Sequence, residues 1–217
     1  MAAKTTLLRL ALGFAAVASL GALTGAPSAS AASPCPNAGT LAGLTSVATY
    51  NDAVLCLLNG QRANAGLPPV AVDGGLTSSA VGHSESMKDN SYFQHDSPDG
   101  TTFADRIAQT GFLRGARRWL IGENIAWGSL TLGTPQALMT AWMNSPEHRD
   151  NILEPAYTEI GVGTVWGAPS NPLMPAAAIV TTDFGYVQLK AKPSPKKAKK
   201  AKKAKKRRAI RKHLRGH

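Results

Sequence analysis

Apolar side chains recur at helical spacing early in the chain and at strand spacing late in it. Residues 50–65 put Val54, Leu57, Leu58 and Ala65 near one face of a helix, which Gly66 and Pro68-Pro69 end. Asp73 caps a second helix that runs to about Asn90. Its stripe is Leu76, Ala80, His83 and Met87, so His83 reads as a core histidine. Ser97-Pro98-Asp99-Gly100 is a turn. Thr102 and Asp105 form a capping box for a short helix that turns Phe103 and Ile107 inward and closes at Gly111. Thr134-Pro135 opens a helix with Leu138, Ala141 and Trp142 inward. Ser145-Pro146 opens the next, with His148 in its first turn.

The strand signals come afterwards. Residues 159–165 alternate Ile160 and Val162 with Gly161 and Gly163, and residues 176–184 are rich in Ile, Val and Thr. The stretch 167–175 joins them as a Pro/Gly hairpin loop. Residues 119–127 read as a short apolar segment interrupted by Gly122-Glu123-Asn124. Helices first and strands last predict an α+β fold, with helices packed on a small, mainly antiparallel sheet.

Composition changes this picture at the two ends. A hydrophobic content of 43% is ordinary for a globular protein, which excludes wholesale disorder and a multi-span membrane protein. The net charge of +11 hides an asymmetry. Residues 191–217 carry 10 Lys and 4 Arg with no acid, whereas residues 32–190 hold 8 basic and 13 acidic side chains. An acidic globule therefore carries a basic tail. Ala198, Ala201 and Ala204 recur between Lys pairs, which leaves no apolar stripe to bury, so disorder is expected beyond a hinge at Pro193 and Pro195. Lys196, Lys197, Lys199, Lys200, Lys202, Lys203, Lys205, Lys206, Arg207 and Arg208 suit polyanions bound by counterion release, without sequence-specific nucleic-acid reading. Anionic wall polymers, anionic lipids and extracellular DNA are the candidate partners.

At the other end, Lys4 and Arg9 precede an apolar run over residues 10–23, shorter than the roughly 20 residues a membrane span needs. Ala29-Ser30-Ala31 offers small residues for cleavage. This pattern predicts a signal peptide over 1–31, a secreted product and no transmembrane anchor. An N-terminal arm over 32–49, a domain over 50–190 and the tail over 191–217 complete the expected organisation. Export favours pairing Cys35 with Cys56 over leaving two free thiols. Such a bridge would pin the arm to the first helix and contribute about 3 kcal/mol.

Candidate chemistry centres on histidines and one acid. His95 lies at the end of an element, between Tyr92-Phe93 and the Asp96–Gly100 turn. His148 sits where the helix dipole favours neutral imidazole, the form that acts as a base or binds a metal. Glu123 is isolated among apolar neighbours and needs a partner, which either histidine could supply. HExxH, GxSxG, phosphate-binding Gly loops and GxGxxG are all absent from the sequence.

Four strings carry a further signal. They are Tyr92-Phe93-Gln94-His95-Asp96-Ser97-Pro98-Asp99-Gly100, Gly122-Glu123-Asn124-Ile125-Ala126, Ala141-Trp142-Met143-Asn144-Ser145-Pro146-Glu147-His148-Arg149-Asp150-Asn151-Ile152-Leu153 and Tyr157-Thr158-Glu159-Ile160-Gly161-Val162-Gly163. In order and spacing they resemble the CAP superfamily of cysteine-rich secretory proteins, antigen 5 and pathogenesis-related proteins, in its secreted bacterial branch, over about residues 50–188. The resemblance implies an α-β-α sandwich whose cleft holds two histidines and two acids. His95, Glu123 and His148 fall on three of those positions. The second acid has no counterpart in Met143-Asn144-Ser145, and Glu147 stands where the bacterial relatives usually have Gly. The expected function is a non-enzymatic extracellular binding or structural module. The alternative is a metal-dependent hydrolase of peptide, wall or phosphodiester bonds. In either case His95 and His148 are candidate ligands for a divalent metal such as zinc.

Overall fold

Polar caps set where the helices begin. A computed structural model describes residues 35–171 and 173–190; the expected signal peptide and basic tail lie outside them. Ser46 caps α1 (Val47–Asn64), its hydroxyl accepting from the Thr49 amide at 3.1 Å, so this helix starts three residues earlier than its apolar spacing suggests. Strand β1 (Ala71–Val72) follows. Asp73 then caps α2 (Gly74–Asp89), accepting from the Leu76 amide at 2.9 Å. The reciprocal capping box of Thr102 and Asp105 opens α3 (Phe103–Gln109). Next come β2 (Ala116–Ser129), α4 (Pro135–Asn144) and α5 (Pro146–Leu153), the last two with proline in the first turn. A hairpin of β3 (Glu159–Trp166) and β4 (Ala177–Leu189) ends the fold.

The strands lie in the order β1-β3-β4-β2. The short β1 runs parallel to β3 and the other pairs are antiparallel. Strand β2 is a long edge strand, where sequence spacing showed only a short apolar segment. Its middle, residues 122–126, is buried on both faces, and its first half is exposed. Neither half shows the alternation of a half-buried strand.

Helices cover both faces, giving the α-β-α sandwich. On one face α1, α4 and α5 bring Tyr50, Val54, Leu58, Leu138, Trp142 and Ile152 against Val162, Val180 and Phe184. On the other face α2 seats Met87 against Ile125 and Ile179. Two expected core positions are corrected. Ala141 is exposed and Met139 is buried in its place. Ala65 is exposed, and near it the fully buried Arg62 donates to the carbonyls of Pro68, Ile152, Glu154 and Tyr157 at 2.9–3.1 Å, tying the end of α1 to the end of α5.

Gly161 and Gly163 of β3 decide how deeply α2 sits. A methyl group at either would overlap the helix backbone at Leu76–Thr77 or Ala80–Val81. Their bare backbone lets the helix approach the sheet closely, with Ser84 donating to the Gly163 carbonyl at 2.9 Å. The Cys35–Cys56 disulfide is present and pins the chain before α1 to that helix, with Cα atoms 5.8 Å apart.

Candidate functional site

Glu123 of β2, Asp183 of β4 and Gly161 of β3 are directly opposite one another across three strands. Opposed residues present their side chains on the same face, here the one that α2 covers. Because Gly161 offers no side chain, α2 closes over two carboxyl groups, both nearly inaccessible to solvent.

Glu123 is held from two sides. His95 Nδ1 lies 2.8 Å from Oε1, and Arg106 Nη2 donates to Oε2 at 2.7 Å. An ionised carboxylate only accepts, so His95 donates through a proton on Nδ1, from a ring that is about half-exposed. Burial alone would push the Glu123 carboxyl up. The His95 hydrogen bond and the Arg106 charge outweigh it and hold the group below the usual carboxylate range. Arg106 comes from α3 and also donates to the carbonyls of His95 at 2.9 Å and Thr101 at 3.2 Å. The capped short helix thus clamps the loop that carries His95.

His83 reaches the same centre from α2. Its Nε2 stands 3.9 Å from Glu123 Oε1 and 3.0 Å from the Gln94 carbonyl oxygen. A carbonyl only accepts, which puts the ring proton on Nε2. Burial lowers this imidazole's affinity for a second proton and keeps it neutral. His83 is therefore both the core histidine of its stripe and a neighbour of the acid.

Asp183 is the opposite case. Burial, and then the negative charge of Glu123, raise its pKa well above the ordinary aspartate value. Neither of its oxygens has a hydrogen-bond partner of good geometry among the described residues.

His148 lies beyond this cluster. Asn124 follows Glu123 and points to the other face of the sheet, where its amide donates to the His148 backbone carbonyl at 2.9 Å. Asn151 bonds the Asn124 side chain at 2.9 Å and the Glu123 carbonyl at 3.1 Å, so α5 is pinned to β2. The His148 ring makes no hydrogen bond among the described residues. Burial lowers its pKa, and proximity to His95 lowers it further. The structure thus joins His95 to Glu123 and leaves His148 near His95. The second ring beside the acid is His83, in place of the expected His148.

Arg106 and Asp183 escaped the sequence reading. Arg106 follows a capping box and reads as a surface cation. Asp183 did carry a signal, since it is a lone acid in an apolar strand, the same rule that singled out Glu123.

Both Glu123 oxygens are engaged, and one of them neutralises a guanidinium. Among the described residues no three His, Cys, Asp or Glu side chains are grouped to hold an ion. His95 Nε2 and the His148 ring are the nitrogens left over, and a stable zinc site needs three or four protein ligands.

The profile of the CAP family, described as the cysteine-rich secretory protein family, matches residues 55–171. Two relatives come from Bacillus subtilis. The uncharacterized protein YkwD is 41% identical over 121 residues, covering 56% of this chain and 44% of its own length. The uncharacterized membrane protein YlbC is 35% identical over 115 residues, covering 53% and 31%. The chain thus spans less than half the length of both. Among solved structures, an extracellular SCP-domain protein of Bacillus anthracis superposes with a TM-score of 0.49 at 31% identity, covering 66% of this chain and 44% of that one. An outer surface protein of Borrelia burgdorferi does so with a TM-score of 0.49 at 21% identity, covering 60% and 87%.

Proposed function

Since the chain belongs to the cysteine-rich secretory protein (CAP) family and is of the bacterial type, we propose that it is an exported, non-enzymatic binding module, held by its basic tail on anionic envelope polymers. The observation that carries the non-enzymatic part is the burial of Glu123 behind a hydrogen-bonding partner at each oxygen. A general base needs a free lone pair within reach of a substrate proton. Glu123 accepts from His95 at 2.8 Å and from Arg106 at 2.7 Å and is 4% exposed, so its remaining lone pairs are out of a substrate's reach. Asp183 is 0% exposed, so it has no route to a substrate. The cluster's work is to fix the loop of His95 and the end of α3. Metal-dependent hydrolysis, the alternative, would need a third ligand and a free base beside the two spare imidazoles.

Support for the tail's role is electrostatic. Lys190, whose amide bonds the Gly115 carbonyl at 3.2 Å, stands beside the turn that carries the exposed Arg114 and the start of β2 that carries the exposed Arg117 and Arg118. Residues 191–217, with 14 cations and no acid, follow Lys190 in the sequence. The signal-peptide pattern of residues 1–31 supports export. Among the described residues no helix is long and apolar enough to cross a membrane.

Deleting residues 191–217 tests the tail on immobilised polyphosphate. The intact protein is expected to bind, losing about a thousandfold in affinity between roughly 50 and 200 mM salt. The truncated protein should not bind, and its melting temperature should be unchanged. Binding that ignores salt, or that survives truncation, would contradict the tail's role. Hydrolysis that disappears on His95→Ala would favour the alternative.

A further inference from the structure

Charge is unevenly spread over the folded domain. Residues 35–51, 124–146 and 160–182 hold no Asp, Glu, Lys, Arg or His. These stretches are far apart in sequence and meet at one end of the sandwich. The Gln136 amide donates to the Ala38 carbonyl at 2.8 Å, the Tyr50 hydroxyl to the Gly133 carbonyl at 2.7 Å, and the Leu130 amide to the Ala176 carbonyl at 2.8 Å. Tyr50 also meets Trp166 edge to face, with ring centroids 5.2 Å apart. Ser129 of β2 pairs with Ala177 of β4, and Trp166 of β3 with Ala178, so the three long strands all turn their uncharged portions to this end. The exposed Arg117, Arg118 and Lys190 lie at the other end, where Ala116 pairs with Leu189.

The solvent side of the uncharged end is also apolar. Leu44, Trp127, Leu130, Leu132 and Leu173 are each more than a third exposed, Leu132 at 73% and Leu173 at 90%. The outer face of α4 adds Gln136, Thr140 and Ala141, where a surface helix ordinarily carries charges. Charges stand at the margin, with Asp52 in α1 and the ion pair of Lys88 and Asp89, 3.5 Å apart, at the end of α2. Single exposed leucines need no explanation, but several on one uncharged end mark an interaction surface. The backbone gives an independent sign. Leu130 and Ala176, joined by their hydrogen bond, have φ of 53° and 48°. Glycine or asparagine would adopt this left-handed conformation at lower cost. A leucine held there under strain, with its side chain exposed, serves something outside the fold.

The kind of side chain selects the occupant. Protein-binding surfaces are anchored by Trp, Tyr and Arg, and leucine is under-represented among their hot spots. Here four of the five exposed groups are leucine and none is arginine. A second copy is opposed by the net charge of +11 on each chain. In a lipid bilayer leucine is favourable, tryptophan suits the interface, and charges are costly. We propose that this end is a membrane-docking surface that inserts Leu44, Trp127, Leu130, Leu132 and Leu173 into the interfacial region of a lipid bilayer, whatever the headgroup charge. Lys190, which leads into the basic tail, is at the opposite end of β4, so the surface is distinct from the tail and stands if the tail's role fails.

The test floats the full chain on phosphatidylcholine vesicles, which carry no net charge and give the tail nothing to neutralise. Binding is expected, and it should hold or strengthen between about 50 and 500 mM salt. Leu132→Asp and Leu44→Asp should each weaken it about tenfold, through lost apolar burial and the cost of a charge in lipid. Their melting temperatures should match the parent's, because both side chains are exposed. Leu189→Asp, at the cationic end and also exposed, should bind as the parent does. Bromine-labelled acyl chains should quench tryptophan emission less in Trp127→Phe than in the parent, and equally in Trp119→Phe. Absence of binding, binding lost as salt rises, or equal weakening by Leu189→Asp would overturn the proposal. So would a dimer that forms without vesicles and dissociates in Leu132→Asp, since a second copy would then cover this end.

Discussion

Replacing Glu123 by Ala is expected to lower the unfolding free energy by about 3–5 kcal/mol, the usual cost of breaking a buried ion pair by removing one partner. The loss is large because two groups are orphaned together. Arg106 loses its 2.7 Å acceptor, and His95 loses the carboxylate that orients its ring. Both also fix residues 95–101, so the loop should loosen and its amides should exchange faster. The acid limb of the stability curve should change as well. In the parent, the Glu123 carboxyl is held below the usual range, so its contribution is complete above that range and is lost as pH falls through the lowered value. Asp183 acts with the opposite sign. Its pKa is raised, so its contribution is complete below the ordinary aspartate value and declines as pH rises toward the raised one. Without Glu123 the first dependence disappears, and the second weakens because the neighbouring negative charge is gone. Urea melts of parent and variant between about pH 3 and 8 would show both changes. A loss below about 1 kcal/mol would mean that the cluster does not hold the fold.

Gly161→Ala should cost about 3 kcal/mol, the upper end for overpacking. The added methyl would overlap the backbone of α2 at Leu76 and Thr77, and a helix backbone cannot rotate away as a side chain can. The helix must lift, and His83 and Ser79 must leave the two carboxyl groups together. Substitution of Gly60 is the contrast, since a side chain there meets nothing within 4 Å, and it should be neutral or stabilising. Thermal melts of the two variants would separate them. Equal melting temperatures would show that α2 does not depend on close approach to β3.

What could be read from the chain divides along physical lines. Caps and turns are local chemistry, so Asp73, the Thr102/Asp105 box, Thr134-Pro135 and Ser145-Pro146 marked helix starts that the structure contains. The disulfide followed from two cysteines and an expected oxidising compartment. Strand β2 was hidden because burial on both faces erases alternation, and β1 because two residues carry no period. In the site, isolation among apolar neighbours found Glu123 but could not choose its partners. That choice depends on which face each strand residue occupies. Asn124, one position on, carries α5 and His148 to the opposite face, while Glu123 turns to His95, His83 and Arg106. A one-residue step along a strand reverses the side, and only the register with β4 fixes it.

The account rests on Glu123 being an ionised, buried strut bonded at both oxygens, and carbon-detected NMR titration of its carboxyl group tests this most directly. The expected result is a Glu123 carboxyl carbon that titrates below the usual carboxylate range and stays flat through neutrality, while the Asp183 carboxyl titrates well above it. A Glu123 carboxyl that titrates near neutral pH would be poised to exchange protons with a substrate. That result would contradict the reading of this protein as a binding module and turn the cleft back into a candidate active site.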